Sequence, residues 1–600
     1  MRNLVLSLSL PIMTLALAGV ALTQSDVAGA AEGGAVVPET PAMARGTVYH
    51  DKNGNEVRDA HEPGIAGVKV SNGREVVATG ADGRWELPAS EDTIFFVIKP
   101  RGWMTPVDED NVPRYFYIHK PKGSPKMAYA GSKPTGPLPE SIDFPLHPQR
   151  ESLQFEVLLF GDSQPESIRD VNYYARDIIP ELIGTKASFG MTLGDIVGDD
   201  LSLFEPITDV TGKIGIPWYY VYGNHDMNLD AISDDAADDS YELRFGPTNF
   251  AFQRGNAHFI GLDNIEFIPR PGRRGAYRAK FDGDALTFVR NYLKFVPSEH
   301  LVVVAFHIHL DDRNTNLSDF LQLFEKHPHN VSISAHTHVH RTLFFGRDQG
   351  YPGPSEHVHL NMVTTCGSWW LGQLDPSGLP HARMRDGGPN GYGILRVDGN
   401  RFALRYKAAR RPISYQMDIY CSDELPQSET EGHEVIANIF NGSKKSEVWM
   451  RVGDSGMWAK MQQVTREDPQ FLRMMQREKL FREQRIATFG KIIEDASNEG
   501  QKGASGERLP SPLNQAAKKL LLDKIEKTRV NLPWRRLPKA VKSSHLWTGK
   551  LPALKPGTYL VHVKTRDMFG ETWTGRRVLR VLPGELVNHQ PSKNSGAIKD

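Results

Sequence analysis

Val157-Leu158-Leu159-Phe160-Gly161-Asp162-Ser163-Gln164 is an apolar run that stops on an aspartate. A short continuous apolar run closed by a glycine reads as a strand buried on both faces. The same pattern recurs four times. Gly190-Met191-Thr192-Leu193-Gly194-Asp195 ends in Asp, and Trp218-Tyr219-Tyr220-Val221-Tyr222-Gly223-Asn224-His225-Asp226 ends in Asn-His-Asp. Leu301-Val302-Val303-Val304-Ala305-Phe306-His307 ends in His, and Val331-Ser332-Ile333-Ser334-Ala335-His336-Thr337-His338 ends in His-x-His. In α/β sheets, ligands gather outside the carboxyl ends of the strands. Five such strands would bring oxygen and nitrogen donors to one place.

The donors are Asp162, Gln164, Asp195, Asn224, His307, His336 and His338. Carboxylates, amides and imidazoles suit Mn²⁺, Fe or Zn²⁺ better than soft ions. The set exceeds one four-coordinate site and fits two ions that share a bridging carboxylate. Such a pair polarises a phosphoryl oxygen and generates hydroxide at neutral pH, so no Ser or Cys nucleophile is required. A single His or Asp at a strand end is ordinarily a satisfied polar, cap or turn residue. The ordered set is what departs from that expectation.

In this order, the fragments resemble the calcineurin-like metallophosphoesterases, whose pattern runs D-x-H, GD, GNH[DE], H and GHxH. The resemblance implies an α/β fold: a metallophosphoesterase β-sandwich core flanked by helices, here with two accessory all-β domains. It also implies roles. Asp162, Gln164 and His338 would hold one ion, Asn224, His307 and His336 the other, and Asp195 would bridge. His225 would face the substrate and protonate the leaving oxygen or steady the phosphoryl group, with Asp226 orienting it. Two positions depart from the pattern. Gln164 stands in place of His, which shifts preference from Fe or Zn toward harder Mn²⁺. Ala335 stands in place of Gly. Some relatives that cleave nucleotide diphosphates resemble the D-x-Q form.

The implied activity is that of an exported phosphoesterase, cutting phosphate mono- or diesters by a metal-bridging hydroxide. A narrower alternative is a pyrophosphatase or phosphodiesterase acting on nucleotide-diphosphate or phospholipid-headgroup bonds. A third reading is a non-catalytic surface-binding scaffold; the full donor set, with His225 retained, argues against it.

The remaining sequence organises around that core. At 600 residues, several domains are expected. Arg2, the apolar run 4–22 and Ala28-Gly29-Ala30 describe a signal peptide over 1–31 and a periplasmic or secreted protein. An uncleaved anchor is the alternative, which Pro11 disfavours. No other stretch reads as transmembrane. Residues 32–43 read as a linker. Residues 44–147 are short β-runs with Asn72-Gly73 and Asp82-Gly83 turns, a small β-sandwich. Its loop Asp51-x-Asn53-x-Asn55-x-Val57-x-Asp59-x-x-Glu62 has the donor spacing of a calcium site, although Glu56 stands where an EF-hand has Gly. It resembles calcium-bearing B-type β-modules of bacterial surface proteins; the alternative is a plain polar loop.

Residues 150–408 alternate strands with helices at 165–186, 281–295 and 316–326, with Pro180 breaking or bending the first. Residues 409–583 return to strands, beginning with 412–417, and carry helical insertions near 468–491 and 513–527. Residues 584–600 read as a disordered tail. Arg273 and Arg274 in a Pro/Gly loop, and Trp369, Trp370, His381, Arg385 and Asn390 in a long loop, are candidate substrate contacts. The alternative for the tryptophans is domain-interface packing. Asp199, Asp200 and His309 read as caps or supports. Cys366 and Cys421 either pair or stay buried thiols. A net charge of −1 gives no field for nucleic acid. The expected partner is a small phosphate ester, and the oligomeric state stays open.

Overall fold

The computed structural model describes residues 42–311, 314–499 and 534–584. The segments read as signal peptide and tail, most of the linker, and the helix expected at 513–527 lie outside them. Mixed sheets dominate, with few helices. No helix among the described residues is long and apolar enough to cross a membrane.

Two sheets form the centre. The first runs in the order Trp218–Val221, Phe189–Leu193, Gln154–Phe160, Gly391–Asp398, Arg401–Ala408. Its first three strands are parallel, Gly391–Asp398 runs antiparallel to them, and Arg401–Ala408 pairs antiparallel to Gly391–Asp398. The second runs Phe250–Arg254, Ala257–Gly261, Leu301–Ala305, Asn330–Ser334, His357–Asn361, Arg341–Phe345. Its four middle strands are parallel.

The period of two explains the packing. Val157 and Leu159 face the second sheet, whereas Leu158 and Phe160 face the helical side. Between the sheets, Tyr219 stacks on Phe252 at 3.9 Å, and Phe189 meets Phe259 edge-on at 4.9 Å. On the outer face of the first sheet, Phe160 packs against Tyr174 of helix Ile168–Asp177. On that of the second, Phe306 packs against Phe320 of helix Leu317–Gln322. Burial on both faces is why these strands read as largely apolar runs. At the tip of the first sheet, Gly161 bridges to Thr364, which stitches the sheets together beside the strand ends.

Residues 42–148 carry two four-stranded sheets, and residues 417–582 a four- and a five-stranded sheet. The C-terminal part also contains the 31-residue helix Pro469–Glu499. Several boundaries differ from expectation. The first strand, Ala42–His50, starts inside the expected linker because Ala42 and Met43 already pair with Ala89 and Pro88. The helix expected over 165–186 is Ile168–Asp177 followed by a short 3₁₀ turn, Ile179–Glu181, at Pro180. Residues 412–416 turn rather than pair, since Gln416 donates to the Tyr406 and Ile413 carbonyls, and the strand begins at Met417.

Candidate metal centre

Glycine sets how closely the strand tips approach. Gly194 has φ 83°, and a Cβ there would lie 2.5 Å from His307 Nδ1. A Cβ on Gly223 would lie 1.9 Å from the Asp195 amide nitrogen. The Gly-Asp and Gly-Asn-His turns therefore press on each other and on His307. Five of the seven donor residues also hold left-handed backbone: Asp162 (φ 26°), Gln164 (φ 40°), Asp195 (φ 48°), His336 (φ 73°) and His338 (φ 52°). Such non-glycine conformations cost roughly 1–3 kcal/mol each and cluster at functional sites.

All seven converge. His307 Nδ1 bonds the Leu193 carbonyl at 2.8 Å, which turns Nε2 inward. Nε2 lies 3.1 Å from Asn224 Oδ1, 3.1 Å from Asp195 Oδ1 and 3.2 Å from His336 Nδ1. His338 Nδ1 bonds the Gly367 carbonyl at 2.6 Å, and its Nε2 faces Gln164 Oε1 at 3.0 Å and Asp162 Oδ1 at 3.7 Å. Gln164 Nε2 donates to Asp195 Oδ2 at 3.3 Å. Asp162 Oδ2 accepts from the His336 amide, but its buried Oδ1 has no hydrogen-bond donor. A buried carboxylate oxygen without a donor is costly unless a cation serves it. Ligand atoms of Asp195, His307 and His336 lie within 4.8 Å of one another. Both rings are anchored at one nitrogen and present the other to carboxylates and amide oxygens, so the donor set fits divalent ions.

The electrostatics agree. Burial pushes the Asp162 carboxyl up to about 8, with Asp195 adding to the rise against the pull of His307. Burial would also raise Asp195, but His307 and His225 outweigh it and hold that carboxyl below its ordinary range. Burial disfavours the charged His307 ring; Asp195 overrides it and lifts the ring to about 9. His336 is pushed down to about 3 by burial and by His307.

His225 stands at the edge of this cluster. Its amide donates to Asp195 Oδ1 at 2.9 Å, and its Nδ1 bonds Asp199 Oδ1 at 2.6 Å. Arg274 clamps Asp199 from the other side, at 2.7 and 2.8 Å. Asp226 does not orient the ring, contrary to the sequence expectation. Its two oxygens accept from the Gly223 and Val197 amides and brace the turn. Asp200 accepts from Ser202 and from the Tyr129 hydroxyl. His309 stacks at 6.4 Å from His336 and lies 3.3 Å from Asp311.

Two family profiles match the chain. Residues 51–131 match the N terminal of calcineurin-like phosphoesterase, and residues 357–498 match the C terminal of calcineurin-like phosphoesterase. The chain belongs to the calcineurin-like phosphoesterases. Among solved structures, it is similar to purple acid phosphatase PPD1 from yellow lupin (Lupinus luteus) seeds, at 13% identity and a TM-score of 0.33. That likeness covers 57% of this chain and 66% of the lupin protein, just under two thirds of its length. No curated protein matches the sequence.

In this calcineurin-like phosphoesterase the expected substrate contacts divide. The Trp369 ring stacks on His338 at 3.8 Å, and the Arg385 guanidinium lies over the Trp369 ring, 5.9 Å from its centroid. Trp370 is buried among Tyr173 and the helical face, and its Nε1 donates to the Ser163 carbonyl. It serves the core and offers no face to a substrate. Asn390 is likewise committed, donating to Asp177 Oδ2 and the Thr365 carbonyl. His381 is exposed and joins Gln373 through its backbone, without a hydrogen bond to the cluster. Arg273 is exposed on the 269–275 loop. Cys366 and Cys421 are both buried free thiols, with Cys366 Sγ 3.6 Å from His338 Nδ1.

A late segment supports this rim. Arg535 donates to the Trp369 carbonyl at 2.9 Å and to Asp170 at 2.8 Å, and pairs with Glu166. The Arg385 Nε reaches the Lys539 carbonyl, and the Val541 amide reaches that of Arg385. Glu478 on the long helix holds the segment through Trp534 Nε1 and the Leu537 amide.

A second donor cluster lies in the 51–62 loop. Asp51 accepts from the Gly54 and Glu56 amides, and Glu62 from those of Lys52 and Asp59. Asn53 and Asn55 both donate to Asp59 Oδ2. Glu56 takes φ 59°, the left-handed conformation that Gly supplies in an EF-hand loop. Asp59, His61 and Glu62 place ligand atoms within 4.8 Å of one another.

Proposed function

We propose that this protein hydrolyses phosphate mono- or diesters with two divalent ions, Mn²⁺ foremost. The observation that carries the reading is the buried convergence of seven donors around Asp195, with Asp162 Oδ1 lacking any protein donor. In this reading Asp162, Gln164 and His338 hold one ion, Asn224, His307 and His336 the other, and Asp195 serves both. Bound ions supply Lewis acidity toward phosphoryl oxygens and ionise water near neutral pH. The protein's own part falls to His225. Burial opposes its charge, but Asp195 and Asp199 lift it to about 9, so at neutral pH the ring is an acid. Nδ1–H is spent on Asp199, and Nε2–H is the proton available to the leaving oxygen. Export to the periplasm or outside the cell belongs to the same reading and rests on residues 1–31.

The test strips the chain of metal and titrates Mn²⁺ against a chromogenic phosphate monoester, its matching diester and a nucleotide diphosphate. Hydrolysis should rise with Mn²⁺ and saturate at about two ions per chain. The preferred ester separates general phosphatase from pyrophosphatase. No hydrolysis together with no bound ion sinks the proposal and leaves the scaffold reading.

The 51–62 loop is proposed to hold a structural Ca²⁺ through Asp51, Asn53, Asn55, Asp59 and Glu62. Calcium should raise the unfolding midpoint by a few degrees, and Glu62→Gln should remove the rise. A midpoint unmoved by millimolar Ca²⁺ in the native sequence rules the site out.

A further inference from the structure

A cavity of about 690 Å³ opens at Asp199, the carboxylate that carries the His225 ring. Its walls differ in character. One is apolar and includes Met227, Leu229 and Ile232, the last 77% exposed. The other is the 269–274 loop, which brings Arg270, Arg273 and Arg274. Two carboxylates also line it, and both are occupied. Asp199 is neutralised by Arg274, and Asp230 accepts from the Ala128 amide at 2.8 Å. Arg270 and Arg273 make no ion pair among the described residues. Exposed arginines, or one exposed isoleucine, are ordinary surface features on their own. Here they line one cavity of ligand size beside the proposed acid.

We propose that this cavity is the leaving-group subsite. It takes an ester whose leaving alcohol combines an apolar body with a second anionic group, carboxylate or phosphate. The inference rests on the hydrolase reading. Asp199, which carries the His225 ring at Nδ1, and Met227, two residues after it, both line the cavity, so a leaving group protonated by that ring has this space beside it. The apolar wall covers the body of that group, and the unpaired guanidiniums hold its charge with the forked geometry that matches carboxylate and phosphate oxygens. Arg274 is committed to Asp199, which leaves Arg270 and Arg273 to recognise the substrate.

The experiment uses the full chain loaded with Mn²⁺ and two esters that differ in one charge, para-carboxyphenyl phosphate and para-carbamoylphenyl phosphate. The amide is the better leaving group, so a preference for the carboxylate does not come from bond chemistry. The kcat/KM of the carboxylate should exceed that of the amide by roughly tenfold. In Arg270→Ala/Arg273→Ala the ratio should fall toward unity. A second readout needs no catalysis: calorimetric binding of para-hydroxybenzoate to the metal-free chain should weaken by roughly fivefold or more in the same variant. Equal kcat/KM in the native sequence, or a preference that survives the double substitution, overturns the subsite. If neither ester is cut while para-hydroxybenzoate binding still depends on the arginines, the hydrolase reading falls and an anion site stands. If binding is also indifferent to the arginines, both fall.

Discussion

Asp195→Asn should reduce Mn²⁺-dependent hydrolysis by roughly a thousandfold or more and lower the number of ions held per chain. The substitution changes one atom and keeps the shape. Asparagine still offers an Oδ1 to the His225 amide, so the Gly-Asn-His turn keeps its anchor. What disappears is the negative charge that both proposed ions share and that lifts His307 to about 9. With it gone, His307 falls toward its ordinary range, and the site would hold its proposed ions with one fewer negative charge. Activity, metal content and the unfolding midpoint measured on one preparation separate a lost site from a lost fold. A variant within about tenfold of the native rate, with metal content intact, would remove Asp195 from the centre of the mechanism.

His225→Gln should lower kcat by roughly 10²–10⁴ while metal content stays unchanged, because in the proposed function the ring protonates the leaving oxygen and ligates nothing. The loss should be larger for phenyl phosphate than for para-nitrophenyl phosphate, since nitrophenolate leaves without help. The pH profile carries a sign. The acid form is active, and the folded value is raised above the ordinary 6.5, so its contribution is present at neutral pH and is lost as pH rises toward about 9. Dications beside the ring oppose the carboxylates and draw that limb downward. Asp199→Asn removes the partner at 2.6 Å and should move the alkaline limb to still lower pH. Equal losses for the two esters, together with a limb that Asp199→Asn leaves in place, would falsify the acid role.

The converging donor residues were legible because the strands that deliver them are buried on both faces. Three leave an unbroken apolar run, and in the other two only the small buried Thr192, Ser332 and Ser334 interrupt it before the tip. Contacts across the chain left no such mark. Asp226 follows His225 directly, yet the turn's own amides capture its carboxylate. The ring's partner, Asp199, comes from the loop after another strand. Trp369 and Trp370 are neighbours in sequence and part in space, one onto His338 and one into the core. Asn390 looked free in a long loop, but the C-terminal end of helix Ile168–Asp177 claims its amide. In the 51–62 loop the missing glycine was the discouraging sign, and Glu56 adopts the required φ all the same.

The Arg535 strap has a consequence for the order in which the protein is made. Arg535 meets the Trp369 carbonyl across 166 positions of sequence. His338 is the last of the donor residues in sequence, but the Gly367 carbonyl anchors its ring, and the tryptophan beside it gains its outer support only after the ribosome has passed Val541. The finished cleft is therefore a late product of synthesis.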